Sequence, residues 1–247
     1  MNENYLIKYP GLLDVAKRRI KLSLLGDRDG VSLNYLAKTT NGIFTDIQSL
    51  ILAERELSRE MLKHLSKSKL LFTKTIEDQS RVTNSRWNAE QQLFTLLYSL
   101  VISKNPNLVI ETGVANGIST NAIMKALEKS KKSGALHSFD VLPETSKAYR
   151  GSGNWKFHLL NATKAHTQLR DELQRLAKPE LWLHDSNHGY RWQKFEFLLA
   201  IKSLRRGGIL ISDDIDASPA WAELAGTVFR KSYIIFDSRK FIGIAFK

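Results

Sequence analysis

The 247-residue chain contains no cysteine. That excludes a disulfide framework, a thiolate zinc site and a cysteine nucleophile. Proline is scarce, at five residues, and the 14 glycines show no periodic arrangement, so collagen-like and low-complexity architectures are excluded as well. No stretch approaches the ~20 apolar residues that a membrane span requires. The opening segment MNENYLIKYPG has neither the apolar core nor the small-residue cleavage site of a secretory signal. A cytoplasmic location is the expectation. Basic side chains, by contrast, are plentiful: 37 Lys and Arg stand against 25 Asp and Glu, a formal charge of +12. Such a surplus raises nucleic acid or an anionic surface as a partner. It is spread along the chain, however, and the densest clusters (Lys17-Arg18-Arg19, Lys129/Lys131/Lys132 and Arg205-Arg206) have the pattern of a solvated surface. With 43% hydrophobic residues the chain can bury one large core, with or without an extension.

Two textures divide the sequence. Residues 1–85 look helical and carry no strand-rich run. Their best segment is 50–71, where Leu50, Leu52, Ala53, Leu57, Met61, Leu62 and Leu65 recur at helical spacing. This amphipathic helix must cover something: the rest of the chain, a substrate, or a second subunit in a homo-oligomer. A further helix is expected over 85–103, ended by Asn105-Pro106-Asn107 because proline disfavours helix at the residue before it. From Leu108 onward short apolar runs alternate with helical segments. Runs at 108–110, 135–141, 155–160, 181–183 and 208–212 are interleaved with helices at 118–127, 165–177, 190–204 and 220–229. Two last runs, 233–236 and 241–246, read as a hairpin. This alternation predicts an α/β fold with a parallel sheet covered on both faces.

In open α/β sheets ligands bind beyond the carboxyl ends of the strands, so the polar residues that follow each run are the candidates. After the first run comes Glu111-Thr112-Gly113-Val114-Ala115-Asn116-Gly117. Glycine there permits a tight turn and close approach of a ligand. A glutamate would repel a pyrophosphate and suits a cationic or donor-rich ligand. The expected G-x-G-x-x-G of a dinucleotide-binding dehydrogenase is missing. Near the end of the second run stands Asp140, whose carboxylate can accept two hydrogen bonds from a ribose diol. Asn161 follows the third run, Asp185-Ser186-Asn187-His188 the fourth, and Asp213-Asp214-Ile215-Asp216 the fifth.

Over residues 108–247 this series resembles the class I S-adenosylmethionine-dependent methyltransferases. The resemblance implies a Rossmann-like, seven-stranded, mostly parallel sheet with flanking helices and a C-terminal antiparallel hairpin. The methyltransferase domain would occupy 86–247, behind a helical extension over 1–85 that serves as lid or oligomerisation element. It implies that Glu111, Gly113 and Gly117 hold the methionine part of the cofactor, that Asp140 binds the ribose, and that Asn161 lies near the adenine, where the family more often has Asp. Asp185-x-x-His188-x-Tyr190, with Gly207-Gly208 and Asp213-Asp214, is similar to a subgroup of small-molecule O-methyltransferases that includes macrolide-sugar enzymes. That likeness implies magnesium held by Asp185, Asp213 and Asp214, with Glu144 as stand-in for a further acidic ligand, and a general base at His188 supported by Asp185. The chemistry is coherent, since a hydroxyl is a poor nucleophile until a cation lowers its pKa and a base takes its proton.

The expected function is thus magnesium-dependent O-methylation of a sugar or other small hydroxylated acceptor. Two alternatives stay open. The +12 charge allows an RNA methyltransferase, although covalent cytosine chemistry would need cysteine and the Asp/Asn-Pro-Pro-aromatic motif of amino-group methylation is replaced by Asp185-Ser186-Asn187-His188. A non-catalytic S-adenosylmethionine-binding protein is the other. Each carboxylate also has a plain structural role open to it: Asp185 as a helix cap, Asp213-Asp214 as a solvated turn. Arg86, Trp87, Trp182, Trp192 and Phe195 read as packing residues.

Overall fold

The computed structural model describes residues 31–78, 88–130, 132–238 and 240–247. In chain order these form α1 (Leu33–Thr39), β1 (Ile43–Phe44), α2 (Ile47–Ala53), a 3-10 turn (Arg59–His64), α3 (Leu65–Asp78), α4 (Gln91–Lys104), β2 (Leu108–Thr112), α5 (Ile118–Leu127) and β3 (Ala135–Asp140). A second 3-10 turn (Pro143–Lys147), β4 (Trp155–Leu159), α6 (Ala165–Arg175), β5 (Leu181–His184), α7 (Tyr190–Ser203), β6 (Ile209–Ser212), α8 (Ala220–Ala225), β7 (Lys231–Asp237) and β8 (Lys240–Phe246) follow.

The strands make one sheet in the order β1-β7-β8-β6-β5-β2-β3-β4. Only β8 runs antiparallel to its neighbours β6 and β7. The sheet therefore has eight strands where seven are expected. The addition is β1, which pairs parallel to β7 through Ile43↔Ile234 and Phe44↔Ile235. Both faces of the sheet are covered, and the strand residues divide alternately between two cores. Val109, Leu181, Leu183, Ile209 and Ile211 face one core together with α2, α4 and α5. Leu108, Ile110, Trp182 and Leu210 face the other, with Leu36, Leu169, Phe197 and Trp221. Burial on both sides is why these strands read as unbroken apolar runs.

Besides β1, the N-terminal region differs from expectation in the course of its helices. The helix expected over 50–71 is interrupted after Ala53, and Ser58 caps a separate 3-10 turn. The cause is tertiary. Glu54 is turned into the fold, where it accepts hydrogen bonds from Tyr233 Oη, from Lys231 Nζ at 3.2 Å and from the Glu56 amide at 2.8 Å. Leu50, Leu57 and Met61 are buried with Leu93, Leu96 and Leu97 of α4, whereas Leu52 and Ala53 of the same set stay exposed. Helix α4 is itself buried from Leu93 through Val101 and ends at Asn105 in the left-handed conformation (φ 50°). The start of its expected span, with Arg86 and Trp87, lies outside the described residues, as does the Lys17–Arg19 cluster.

Candidate active site

The chain runs β2, β3, β4 toward one edge and then returns to place β5 and β6 on the other side of β2. The reversal between β2 and β5 leaves a crevice at the strands' carboxyl ends. A cavity of about 460 Å³ occupies it. Its floor is Thr112, Gly113, Ser186 and Glu196; one flank carries Phe139, Asp140, Leu142, Leu160, Ala165 and Trp192; the other carries Asp185, His188, Asp214 and Lys240.

Gly113 makes the crevice possible. Its φ is +83°, and a Cβ there would sit 2.1 Å from the Asp185 carbonyl oxygen. Only a residue without a side chain lets β2 and β5 close to this distance. Gly117, at φ +76°, caps α5, and a Cβ on it would lie 2.7 Å from the Ala148 side chain.

Asp140 lies on the cavity wall and organises the loop after β2. Its Oδ2 accepts from the Val114 amide at 2.8 Å and its Oδ1 from the Leu142 amide at 3.0 Å. The Ala115 amide also donates to Oδ2, at 3.4 Å, which leaves a lone pair on Oδ1 for a ligand. Glu111 lies beneath the loop and off the cavity wall, with no exposed surface. It accepts hydrogen bonds from Ser119 (2.7 Å), Thr120 (2.8 Å) and Ser138 (2.6 Å), tying the start of α5 to β3. Asn161 is exposed; its side chain folds onto its own turn, accepting from the Thr163 amide at 3.0 Å and hydroxyl at 2.7 Å. Its neighbours Leu160 and Ala162 line the cavity instead. Glu144 is exposed on the 3-10 turn after β3 and off the wall.

Burial pushes the Glu111 carboxyl up to about 7, and this makes stability depend on pH. The folded state holds a proton that the unfolded state, near 4.5, releases earlier. Between those values the folded chain binds more protons, so stability falls as pH rises through the window and the loss is complete above it. The cost is roughly 2–4 kcal/mol at pH 8. Glu111→Gln, which is neutral throughout, is expected to flatten this dependence and to raise the melting temperature at pH 8 relative to wild type, with little change near pH 5. Thermal melts of the two proteins across that range check it.

The acidic flank is assembled from three strand ends. His188 is nearly buried, with Nε2 3.8 Å from Asp185 Oδ1 and 3.7 Å from Asp214 Oδ2. The imidazole thus lies within ion-pair distance of both carboxylates. Asp214 holds a left-handed backbone (φ 47°), a strained conformation for aspartate that turns its carboxylate toward His188. Asp213 points elsewhere. Its side chain is fully buried, off the cavity wall, and its Oδ2 forms an ion pair with Lys240 Nζ. Burial and the neighbouring Asp213 charge hold the Asp185 carboxyl well above the usual carboxylate range. Burial likewise raises Asp213, with Lys240 opposing. For Lys240 burial works against the charge, but Asp213, Asp214 and Asp185 outweigh it and keep the ammonium protonated.

The magnesium site expected from Asp185, Asp213 and Asp214 does not fit this arrangement. Among the described residues no group of three or more His, Asp or Glu side chains is placed to hold a metal ion. The reason is visible in the pairing: Lys240, only 3% exposed, already supplies a positive charge to the carboxylates. Magnesium demands several directly bonded oxygens in near-octahedral array, and an ammonium on Asp213 occupies one of them.

Lys240 escapes a strand-by-strand reading, because it opens an apolar strand as though it belonged to the turn. Glu196 is missed for a similar reason. It sits on the amphipathic α7 yet is buried on the cavity floor, accepting from Thr112 Oγ1 at 2.9 Å and contacting His184 Nδ1. Ser186 joins the same network and accepts from Trp192 Nε1 at 2.9 Å. Of the expected packing residues, Trp182 is core, whereas Trp192 contributes to the cavity wall.

Residues 110–215 match the family described as a methyltransferase domain. No curated protein matches the chain in sequence. Among solved structures, the O-methyltransferase from Bacillus cereus in complex with SAH is 13% identical, with 81% of this chain and 96% of that chain covered and a TM-score of 0.50. The O-methyltransferase TomG from Streptomyces achromogenes, involved in tomaymycin synthesis and solved with SAM, is 14% identical over 76% of this chain and 89% of that one, with a TM-score of 0.52. At this identity the likeness is one of fold.

Proposed function

We propose that this chain, whose residues 110–215 match a methyltransferase domain, is a class I S-adenosylmethionine-dependent methyltransferase that methylates a hydroxyl oxygen of a small polyhydroxylated acceptor, with His188 as general base. The observation that carries this reading is the imidazole between Asp185 and Asp214 on one wall of a cavity whose opposite wall presents Asp140.

The two walls suit the two ends of the cofactor. Asp140 would hold the ribose hydroxyls. The apolar surface of Phe139, Leu142, Leu160 and Ala165 beside it would bed the adenine, a task in which Asn161, turned onto Thr163, takes no visible part. Gly113 allows the methionine portion to lie against the backbone, and the carboxyl oxygens of Asp185 and Glu196 offer acceptors on the cavity lining. Glu111 and Gly117 serve from behind, by fixing the loop and the start of α5. When bound, S-adenosylmethionine supplies an electrophilic methyl on a sulfonium centre, whose C–S electron pair stays on sulfur as the methyl moves to the acceptor oxygen. His188 Nε2 accepts the proton from that oxygen, and Asp185 and Asp214 on either side stabilise the imidazolium that results. Trp192 and the apolar flank exclude water, which strengthens these electrostatic effects.

A small acceptor is favoured over RNA by where the charge lies. Lys129 and Lys132 precede β3 and Arg205 and Arg206 precede β6, so these clusters stand at the amino ends of the strands, opposite the cavity. Among the described residues that line the cavity, Lys240 is the one Lys or Arg.

Calorimetric titration tests the cofactor half. S-adenosylhomocysteine is expected to bind wild type, and Asp140→Ala to weaken binding roughly 10- to 100-fold, the loss of charge-assisted hydrogen bonds. Absence of binding to wild type defeats the reading. Isotope-labelled methyl transfer tests the rest: label is expected in small hydroxylated acceptors, and label found only in RNA would move the function to the alternative.

A further inference from the structure

We propose that Lys240 is the built-in cation of this acceptor site: its ammonium stands among Asp185, Asp213 and Asp214 where a divalent ion would be needed, and it faces the acceptor oxygen in a metal's stead. The part that concerns the acceptor rests on the methyl-transfer reading; the part that concerns the cation does not.

The placement follows from the sheet. Strand β8 pairs antiparallel with β6 in the register Ser212↔Gly243, and the Ile215 amide donates to the Phe241 carbonyl at 3.1 Å. The first residue of β8 is thereby carried alongside the Asp213–Asp214 turn. Lys240 reaches the cavity wall while remaining almost wholly buried. Its Nζ is paired with Asp213 Oδ2. The second oxygen of that carboxylate, Oδ1, is buried with no hydrogen-bond partner among the described residues, so Asp213 is committed to Lys240 and turned from the cavity. Lysine brings a compact point charge with three donors. One donor goes to Asp213, and the others are available to a lone pair of an acceptor hydroxyl. That contact would favour the oxyanion character developing as His188 takes the proton, the role a Lewis acid plays elsewhere. The three carboxylates are then neutralised in part by a group the chain carries permanently. A divalent ion entering the same space would meet a buried ammonium of like charge.

Manganese titration of the full chain, followed by electron paramagnetic resonance, decides the matter without reference to turnover. Wild type is expected to show no Mn²⁺ site tighter than about millimolar, and Lys240→Ala to acquire one at least tenfold tighter, because the substitution frees Asp213 and empties the space. A tight Mn²⁺ site on wild type, or none gained in Lys240→Ala shown by circular dichroism to be folded, overturns the proposal. Should that variant not fold, Lys240→Met keeps the buried stem and removes only the charge; it too is expected to bind Mn²⁺ more tightly than wild type, and equal affinity overturns the proposal. Where transfer is measured, EDTA should leave the wild-type rate unchanged. Loss of S-adenosylhomocysteine binding, by contrast, would defeat the methyl-transfer reading and leave the Mn²⁺ result standing.

Discussion

Replacing His188 with alanine is expected to lower turnover by roughly 10²–10⁴-fold, about 3–5 kcal/mol in the activation barrier, while S-adenosylhomocysteine affinity stays within about twofold of wild type. The size follows from the acceptor. A hydroxyl retains its proton at neutral pH and attacks poorly while it does, so a positioned base contributes in proportion to the deprotonation it assists. The selectivity follows from geometry. His188 belongs to the acidic flank with Asp185 and Asp214, and Asp140, with the Val114 and Leu142 amides it holds, belongs to the other. Removing the imidazole leaves two carboxylates facing an empty space but disturbs none of the hydrogen bonds that shape the Asp140 side. Single-turnover rates, with calorimetry on the same preparation, separate the two effects. An unchanged rate would take His188 out of the mechanism; a rate lost together with cofactor affinity would make it a structural residue.

The same two flanks show what a sequence can and cannot convey. Strands β2, β5 and β6 are legible because a strand buried on both faces is apolar along most of its length, as Leu108–Ile110, Leu181–Leu183 and Ile209–Ile211 are. The polar residues after each run are then candidates by position alone, and Asp140, Asp185, His188 and Asp214 do meet at one cavity. Position does not give direction. Asp213 and Asp214 are equivalent on paper, yet one lies buried against Lys240 and the other is turned by a left-handed backbone toward His188. Lys240 enters only through the β6–β8 register, a pairing that joins Ser212 to Gly243 and Ile209 to Phe246 across the intervening α8 and β7. That one side chain, an ammonium already paired with Asp213, is what the magnesium expectation does not take into account. β1 escapes notice because two residues carry no periodicity, and the break at Glu54 because its cause, Tyr233 and Lys231, lies far along the chain.

Gly113 offers the sharpest separation between backbone conformation and close packing, with Gly207 as its control. Both have positive φ, +83° and +74°. At Gly207 a Cβ would meet nothing within 4 Å, so Gly207→Ala bears only the left-handed cost, about 1 kcal/mol. At Gly113 the same methyl would stand 2.1 Å from the Asp185 carbonyl oxygen and 2.8 Å from the Ser186 Cα. These are backbone atoms, anchored by the Asp185 amide's hydrogen bond to the Thr112 carbonyl at 2.8 Å, and no rotamer change relieves the overlap. The ends of β2 and β5 must part. Adding the overpacking cost to the backbone cost gives about 2–4 kcal/mol, expected as a clear fall in the urea midpoint of Gly113→Ala beside a small one in Gly207→Ala. Function should separate them further. The parting of β2 and β5 moves the cavity floor and carries Asp185 away from Asp140, which lies beyond β2 at the end of β3, so Gly113→Ala is expected to lose measurable S-adenosylhomocysteine binding even at temperatures where it is folded, while Gly207→Ala, at the strands' opposite ends, binds as wild type does. Equal binding by the two variants would mean that the close approach of β2 and β5 is not what shapes the site.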